Sequence, residues 1–164
     1  MSTALTDLTD DTQAAVARLL AHAKDKGLTV RIDSTRRTCA EQAAEYAKGR
    51  TAPGNIVTNV TGCGSYHVLG RAVDIFIGSW NCPDYEELGE YWESIGGRWG
   101  GRFSFQDCVH FEWPHPLFGL DVLCPQGVSC EDAIKNEPPV VSPTIVAALG
   151  AALGAALAFT LRAR

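Results

Sequence analysis

The stretch Ser65-Tyr66-His67-Val68-Leu69-Gly70-Arg71-Ala72-Val73-Asp74 runs into Ile75-Phe76-Ile77, and its reading decides the fold. Val73 to Ile77 is a continuous run of strand length, the pattern of a strand buried within a sheet. Asp74 lies inside it, where an unpaired carboxylate is expensive. A metal ion would remove that cost, and His67 stands just upstream. Farther on, Asp107-Cys108-Val109-His110-Phe111-Glu112-Trp113 supplies a second imidazole, with Val109 to Trp113 expected as another strand.

A catalytic zinc takes three protein ligands and keeps a fourth position for water. His67, Asp74 and His110 make such a set, for one Zn2+ per chain. Spacing alone is weak support, because a lone histidine more often packs or faces solvent. His110, flanked by strand residues and preceded by an acid, makes the combination more specific. Hydrolysis also needs a base. Strict alternation would put Asp107 and His110 on opposite faces, so Asp107 is expected on the loop entering the strand, bent toward the metal. Glu112 shares the face of His110 and has three readings: base, outer partner of a ligand, or solvated charge. Cys108 shares that face too; a thiolate ligand is one reading, a disulfide or packed thiol the commoner one.

Arg37, with Arg36 as the alternative, is the candidate cation for a developing oxyanion. Both precede a helix N-terminus, the unfavourable end for cations. Solvated arginines are the plain reading and anion binding the sharper one. Ser65 either bonds substrate or holds its loop. His115 reads as a rim residue, and His22 as a surface or packing histidine.

Around these stretches, 164 residues suffice for one domain with a real core. The net charge of -5 supplies no basic field for nucleic acid, and no phosphate-cradling loop is present. Asp10 to Lys26 reads as an amphipathic helix with Asp10 as cap and Gly27 as stop. Thr29 to Ile32 is a strand candidate. Thr38-Cys39-Ala40-Glu41 fits a capping box, so a helix is expected from Ala40 to Lys48. A further helix starts at Cys82-Pro83-Asp84 and buries Leu88, Tyr91, Trp92 and Ile95. Trp99-Gly100-Gly101 reads as a glycine turn.

The six cysteines lack C-x-x-C spacing, which disfavours a zinc finger and favours disulfides in an oxidising compartment over buried thiols. Cys124 and Cys130 are the one expected pair. The N-terminus carries no recognisable signal peptide. Residues 1–137 are expected to form the catalytic domain, 138–144 a proline-rich linker, and 145–164 a transmembrane anchor with a basic end. Gly150 and Gly154 lie in a small-xxx-small pattern suited to helix self-association. A buried C-terminal helix is the other reading. With the terminal arginines cytoplasmic, the anchored domain would face outward.

These residues resemble the zinc D,D-peptidase superfamily, and most of all the peptidase M15 family of phage L-alanyl-D-glutamate endolysins and D-alanyl-D-alanine carboxypeptidases. Ser65, His67, Gly70, Ala72 and Asp74 meet its Ser-x-His-x-x-Gly-x-Ala-x-Asp pattern. Asp107, His110, Phe111 and Glu112 meet its Asp-x-x-His-Phe-Glu pattern. Arg37, Gln42, Tyr46, Gly49 and Arg50 match upstream, followed by Pro53-Gly54 and Val57-Thr58-Asn59, and the resemblance runs from about Leu28 to Trp113. It implies an α+β fold, a small antiparallel sheet flanked by helices. It implies zinc on His67, Asp74 and His110, Asp107 as general base and Arg37 as the transition-state cation. Ser65, Gln42 and Arg36 are then expected at the substrate, a peptidoglycan stem peptide, and Glu112 beside a ligand. A catalytically silent zinc module binding wall peptide or a partner is the alternative. Three features depart from the family: Arg102 where many members carry an acid, the cysteines, and the apolar tail.

Overall fold

Ala72–Phe76 forms the central strand β2 of an antiparallel sheet in the computed structural model, which describes residues 1–114. The strands Arg31–Ser34 (β1), Arg98–Trp99 (β3) and His110–Glu112 (β4) complete the order β1-β2-β4-β3. Three α-helices accompany them among the described residues: Asp10–Asp25 (α1), Cys39–Ala47 (α2) and Glu86–Ser94 (α3). This is the expected small antiparallel sheet with helices.

Alternation along the two central strands separates core from site. Val73, Ile75 and Phe111 point into a core shared with Val16 and Leu19 of α1 and Leu88 and Trp92 of α3. Asp74 and His110 are Cα partners across β2 and β4, so their side chains leave the same face of the sheet. Core and site are thus the two faces of one strand pair. Two indoles brace β4 by donating to its neighbourhood: Trp92 Nε1 to the Glu112 carbonyl at 2.9 Å and Trp99 Nε1 to the Cys108 carbonyl at 2.8 Å.

The capping box of α2 forms as expected, with Thr38 accepting from the Glu41 amide and Glu41 accepting from the Thr38 amide. At α1 the cap residue is Thr9 instead of Asp10, and Gln13 donates to the Leu8 carbonyl. β1 begins two residues later than the expected strand, and β3 appears where the sequence suggested only a turn. Among the glycines that admit no side chain, two shape the frame of the site. Gly70 has φ +67° and a Cβ there would come within 3.0 Å of the Asp7 carbonyl oxygen. A Cβ on Gly100 would come within 2.3 Å of the Asp107 carbonyl oxygen, so only glycine lets the turn close on the Asp107 loop.

Two disulfides are present among the described residues, Cys39–Cys63 and Cys82–Cys108. The partner of Cys108 answers its open reading: it is a disulfide cysteine and not a metal ligand. The expected Cys124–Cys130 pair, the rim residue His115, the linker, Gly150, Gly154 and the apolar segment all lie outside the described residues. Among the described residues no helix is long and apolar enough to cross a membrane, so the transmembrane element of the expected fold has no counterpart in them.

Candidate metal centre

Three elements deliver the three candidate ligating atoms. His67 comes from the turn before β2, Asp74 from the middle of β2, and His110 from the start of β4. His67 Nε2 lies 3.1 Å from Asp74 Oδ1 and 3.2 Å from His110 Nδ1, and His110 Nδ1 lies 2.9 Å from Asp74 Oδ1. Zinc bonds of about 2.0–2.2 Å at tetrahedral angles imply ligand–ligand edges of about 3.3–3.6 Å. The observed edges, 2.9 to 3.2 Å, are a little shorter, so a small outward shift of the three side chains would seat the ion.

Hydrogen bonding on the far side of each ring fixes the tautomers. His67 Nδ1 faces the Thr35 carbonyl oxygen at 2.5 Å, which can only accept, so the proton sits on Nδ1 and Nε2 presents a lone pair. His110 Nε2 faces Glu112 Oε1 at 3.1 Å, so a neutral His110 carries its proton there and turns its Nδ1 lone pair inward. Asp74 Oδ1 is also an acceptor. Three lone pairs converging on one point repel unless a cation stands between them, so the donor set fits a zinc ion. Each candidate ligand has an outer partner, the third being Arg37 Nη2 on Asp74 Oδ2 at 2.8 Å.

The titration behaviour expresses the same demand for positive charge. Burial opposes charge on His110, but its bonds to Asp74 and Glu112 prevail and push its pKa up to about 10. Burial likewise opposes charge on Asp74, and the neighbouring His67 and His110 outweigh it, holding the carboxyl well below the usual range.

Asp107 sits on the turn entering β4, as expected. Its amide donates to the Gly100 carbonyl at 3.0 Å, and its carbonyl accepts from the His110 amide at 3.2 Å. Burial pushes its pKa up, as does Asp74, against the pull of His110, His67 and Arg37. Asp107 lines a cavity of about 630 Å³ together with His67, Asp74 and His110. Arg37 lines it too, and its guanidinium is held from three sides: Nε by Ser34 Oγ at 3.3 Å, Nη1 by Gln42 Oε1 at 3.1 Å and Nη2 by Asp74. Ser65 borders the cavity while its Oγ accepts from the His67 amide at 3.2 Å, so it holds the ligand turn.

Two of the expected substrate contacts need correction. Gln42 is fully buried behind Arg37, and its amide donates to the Val60 carbonyl at 2.8 Å; it cannot touch a bound peptide. Arg36 is exposed and lines a different cleft, with Met1, Ser2 and Thr38. The two arginines are neighbours in the chain, but the turn sends Arg37 inward and Arg36 outward. Arg102 pairs with Glu86 at 2.6 Å and Glu93 at 3.3 Å, so its charge is spent on α3. His22 packs as expected, stacked on Tyr91 with Nε2 3.0 Å from Glu87.

Sequence reasoning missed Thr35, because a backbone carbonyl leaves no mark in residue type. It also missed the aromatic rim of the cavity, Trp80 and Phe105, which lie in loops without periodicity. No pattern in the chain marks either ring as part of the site.

Known proteins resemble parts of this chain. The family profile described as D-alanyl-D-alanine carboxypeptidase, of the peptidase M15 type, matches residues 58–113. The peptidoglycan L-alanyl-D-glutamate endopeptidase CwlK of Bacillus subtilis (strain 168) is 36% identical over 110 residues, covering 57% of this chain and 66% of that protein. The L-alanyl-D-glutamate peptidase of Listeria phage A118 is 28% identical over 137 residues, covering 78% of this chain. The chain spans 66% and 45% of the length of these two relatives. The crystal structure of the Serratia marcescens L-Ala D-Glu endopeptidase ChiX superposes with TM-score 0.46 at 20% identity, over 67% of this chain and 83% of that one.

The expected membrane-anchored placement, with self-association through Gly150 and Gly154, is corrected at this point. No helix of the described residues is long and apolar enough to cross a membrane, and the matched relatives are named as peptidases.

Proposed function

We propose that this chain, which belongs to the peptidase M15 family, is a zinc-dependent hydrolase of peptide bonds in peptidoglycan stem peptides. The carrying observation is the inward lone pairs of His67 and His110 meeting the Asp74 carboxylate within about 3 Å, beside a buried acid on the same cavity. His67, Asp74 and His110 would hold the metal, which supplies Lewis acidity and an activated water when bound.

The chain's own residues supply the rest. Asp107 takes the proton of the attacking water and returns it to the leaving amine. Its burial pushes its pKa up, which favours taking the proton. Arg37 fixes the Asp74 carboxylate, and the guanidinium N–H groups not taken by Ser34, Gln42 and Asp74 are its means of steadying charge on the scissile carbonyl. Glu112 and the Thr35 carbonyl hold the two imidazoles in the tautomers that ligation needs.

The mode we propose is endopeptidase cleavage, of the L-Ala–D-Glu type for which the relatives are named. A carboxypeptidase must neutralise the free carboxylate at the end of its substrate. Among the described residues lining the cavity, Arg37 is the one Lys or Arg, and its charge is already met by Asp74. Glu45, Asp107 and Glu112 add negative charge to the same walls. A terminal carboxylate finds poor company there.

The test is metal analysis together with digestion of purified peptidoglycan by the full chain, with His67→Ala as control. One zinc per chain, lost in the variant, with new D-Glu amino termini in the digest, is the expected result. Zinc without new termini would move the reading to a silent binding module. New termini in the presence of excess chelator would refute the metal mechanism.

A further inference from the structure

Trp80 and Phe105 are 68% and 55% exposed, and both line the cavity that holds the metal cluster. Ligand cavities are lined mostly by apolar and aromatic side chains, so exposed rings on this wall are placed to meet a bound molecule. Trp80 is also braced. Its ring packs against Phe76 at 4.6 Å between centroids, and the Arg31 guanidinium lies 4.6 Å from the centroid of the same Phe76 ring. Phe76 belongs to β2, the strand that carries Asp74, so the indole is fixed to the same rigid element as a candidate ligand. Cys82, two residues on, is tied by its disulfide to Cys108, beside Asp107. The platform and the site are therefore held in register.

A stem peptide offers these rings little. Its side chains are methyl groups, carboxylates and an amine, none of which needs an aromatic wall. The sugar to which the peptide is joined does. A pyranose presents a face of C–H groups that packs on an aromatic ring while its hydroxyls stay in water. Distance also selects it. One alanine and the lactyl link, a reach of about 7 Å, separate the L-Ala–D-Glu bond from the sugar. The terminal D-Ala–D-Ala bond lies about three residues, or 10 Å, farther away.

We propose that Trp80, with Phe105, is a saccharide platform that binds the N-acetylmuramyl residue of the substrate, so that the enzyme selects glycan-linked peptide over free peptide. This rests on the proposed peptidase reading and specifies its substrate. The two residues determine specificity and take no part in the proton transfers.

The experiment compares the full zinc-loaded chain on two substrates with the same stem peptide. One carries N-acetylmuramic acid on L-Ala and the other only an acetyl group. The wild type is expected to favour the sugar-linked substrate by about three- to tenfold in kcat/KM, mainly through KM. Trp80→Ala should bring that ratio close to one, and Trp80→Tyr should restore most of it. Equal cleavage of both substrates by the wild type would overturn the platform and leave the peptidase reading intact. A ratio unchanged in Trp80→Ala would overturn it as well. Cleavage of neither substrate would instead remove the reading on which it stands.

Discussion

Asp74 and His110 face each other across β2 and β4, with His110 Nδ1 2.9 Å from Asp74 Oδ1. Each is also gripped from behind, Asp74 by Arg37 and His110 by Glu112. Sheet register therefore sets the spacing of two candidate ligands, and outer partners set their orientation. A site placed on paired strands has little freedom to loosen.

Metal binding should be visible as stability. A ligand that binds only the folded state adds about 2.7 kcal/mol at a hundredfold excess over its Kd. Thermal unfolding with and without excess chelator should differ by several degrees, and zinc should restore the loss. In Asp74→Asn the same titration should show a much smaller shift, because one donor has lost its charge. An identical shift in that variant would remove Asp74 from the ligand set.

Glu112→Gln tests the outer partner of His110. The amide can still accept from Nε2, but it no longer favours positive charge on the ring. Zinc affinity should fall by about 10–100-fold, read by competition with a chromogenic chelator. Unchanged affinity would return Glu112 to the role of a solvated charge or a base.

The meeting of His67, Asp74 and His110 was legible because its signal lies in residue type and strand alternation. An aspartate inside an apolar run is costly to bury unless a positive charge meets it, and a histidine among strand residues offers a nitrogen for the same ion. Asp107 then had to precede the strand to reach their face. The capping box of α2 was legible for the same reason, being a local pattern. Direction of side chains from a loop was not. Arg36 and Arg37 are adjacent in sequence, yet only Arg37 reaches the cavity of the His67, Asp74 and His110 cluster, and Gln42 matches a family position while lying buried. Disulfide pairing was also beyond reach, since Cys39 and Cys63, and Cys82 and Cys108, lie 24 and 26 residues apart and are brought together by tertiary structure.

Asp107 predicts the acid limb of the activity. Burial raises its pKa above the ordinary 3.8, so the basic form is lost at a higher pH than for an exposed carboxylate. In chelator-treated protein the Asp107 carboxyl should therefore titrate above an exposed carboxylate, and bound zinc should draw it down, moving the acid limb of kcat/KM to lower pH than that titration. The same raised pKa means that the stability this group contributes is full below its unfolded pKa and is lost as pH rises through the folded one. Asp107→Asn should thus leave chelator-treated protein at neutral pH as stable as wild type or more so. It should retain zinc and lose about 10²–10⁴-fold in kcat. A variant that kept near-wild-type turnover would exclude Asp107 as the base.

The disulfides tie the site to its frame, and their removal should separate stability from catalysis. Cys108 lies between Asp107 and His110, and its partner Cys82 precedes α3, with Cα atoms 5.0 Å apart. Cys39 opens α2 and Cys63 lies shortly before His67 on the loop leading to β2, with Cα atoms 4.6 Å apart. Each bridge closes a loop of a size for which about 2–4 kcal/mol of stabilisation is typical. The double variant Cys82→Ser/Cys108→Ser should lose stability in that range, measured by denaturant unfolding. Beyond that, kcat should fall at a temperature where the protein is still fully folded, because Asp107 and His110 flank the missing bond. Cys39→Ser/Cys63→Ser should lose comparable stability with a smaller effect on kcat and a larger one on zinc retention, since its nearest ligand is His67. Equal kinetic behaviour of the two double variants would mean that the bridges act only on global stability.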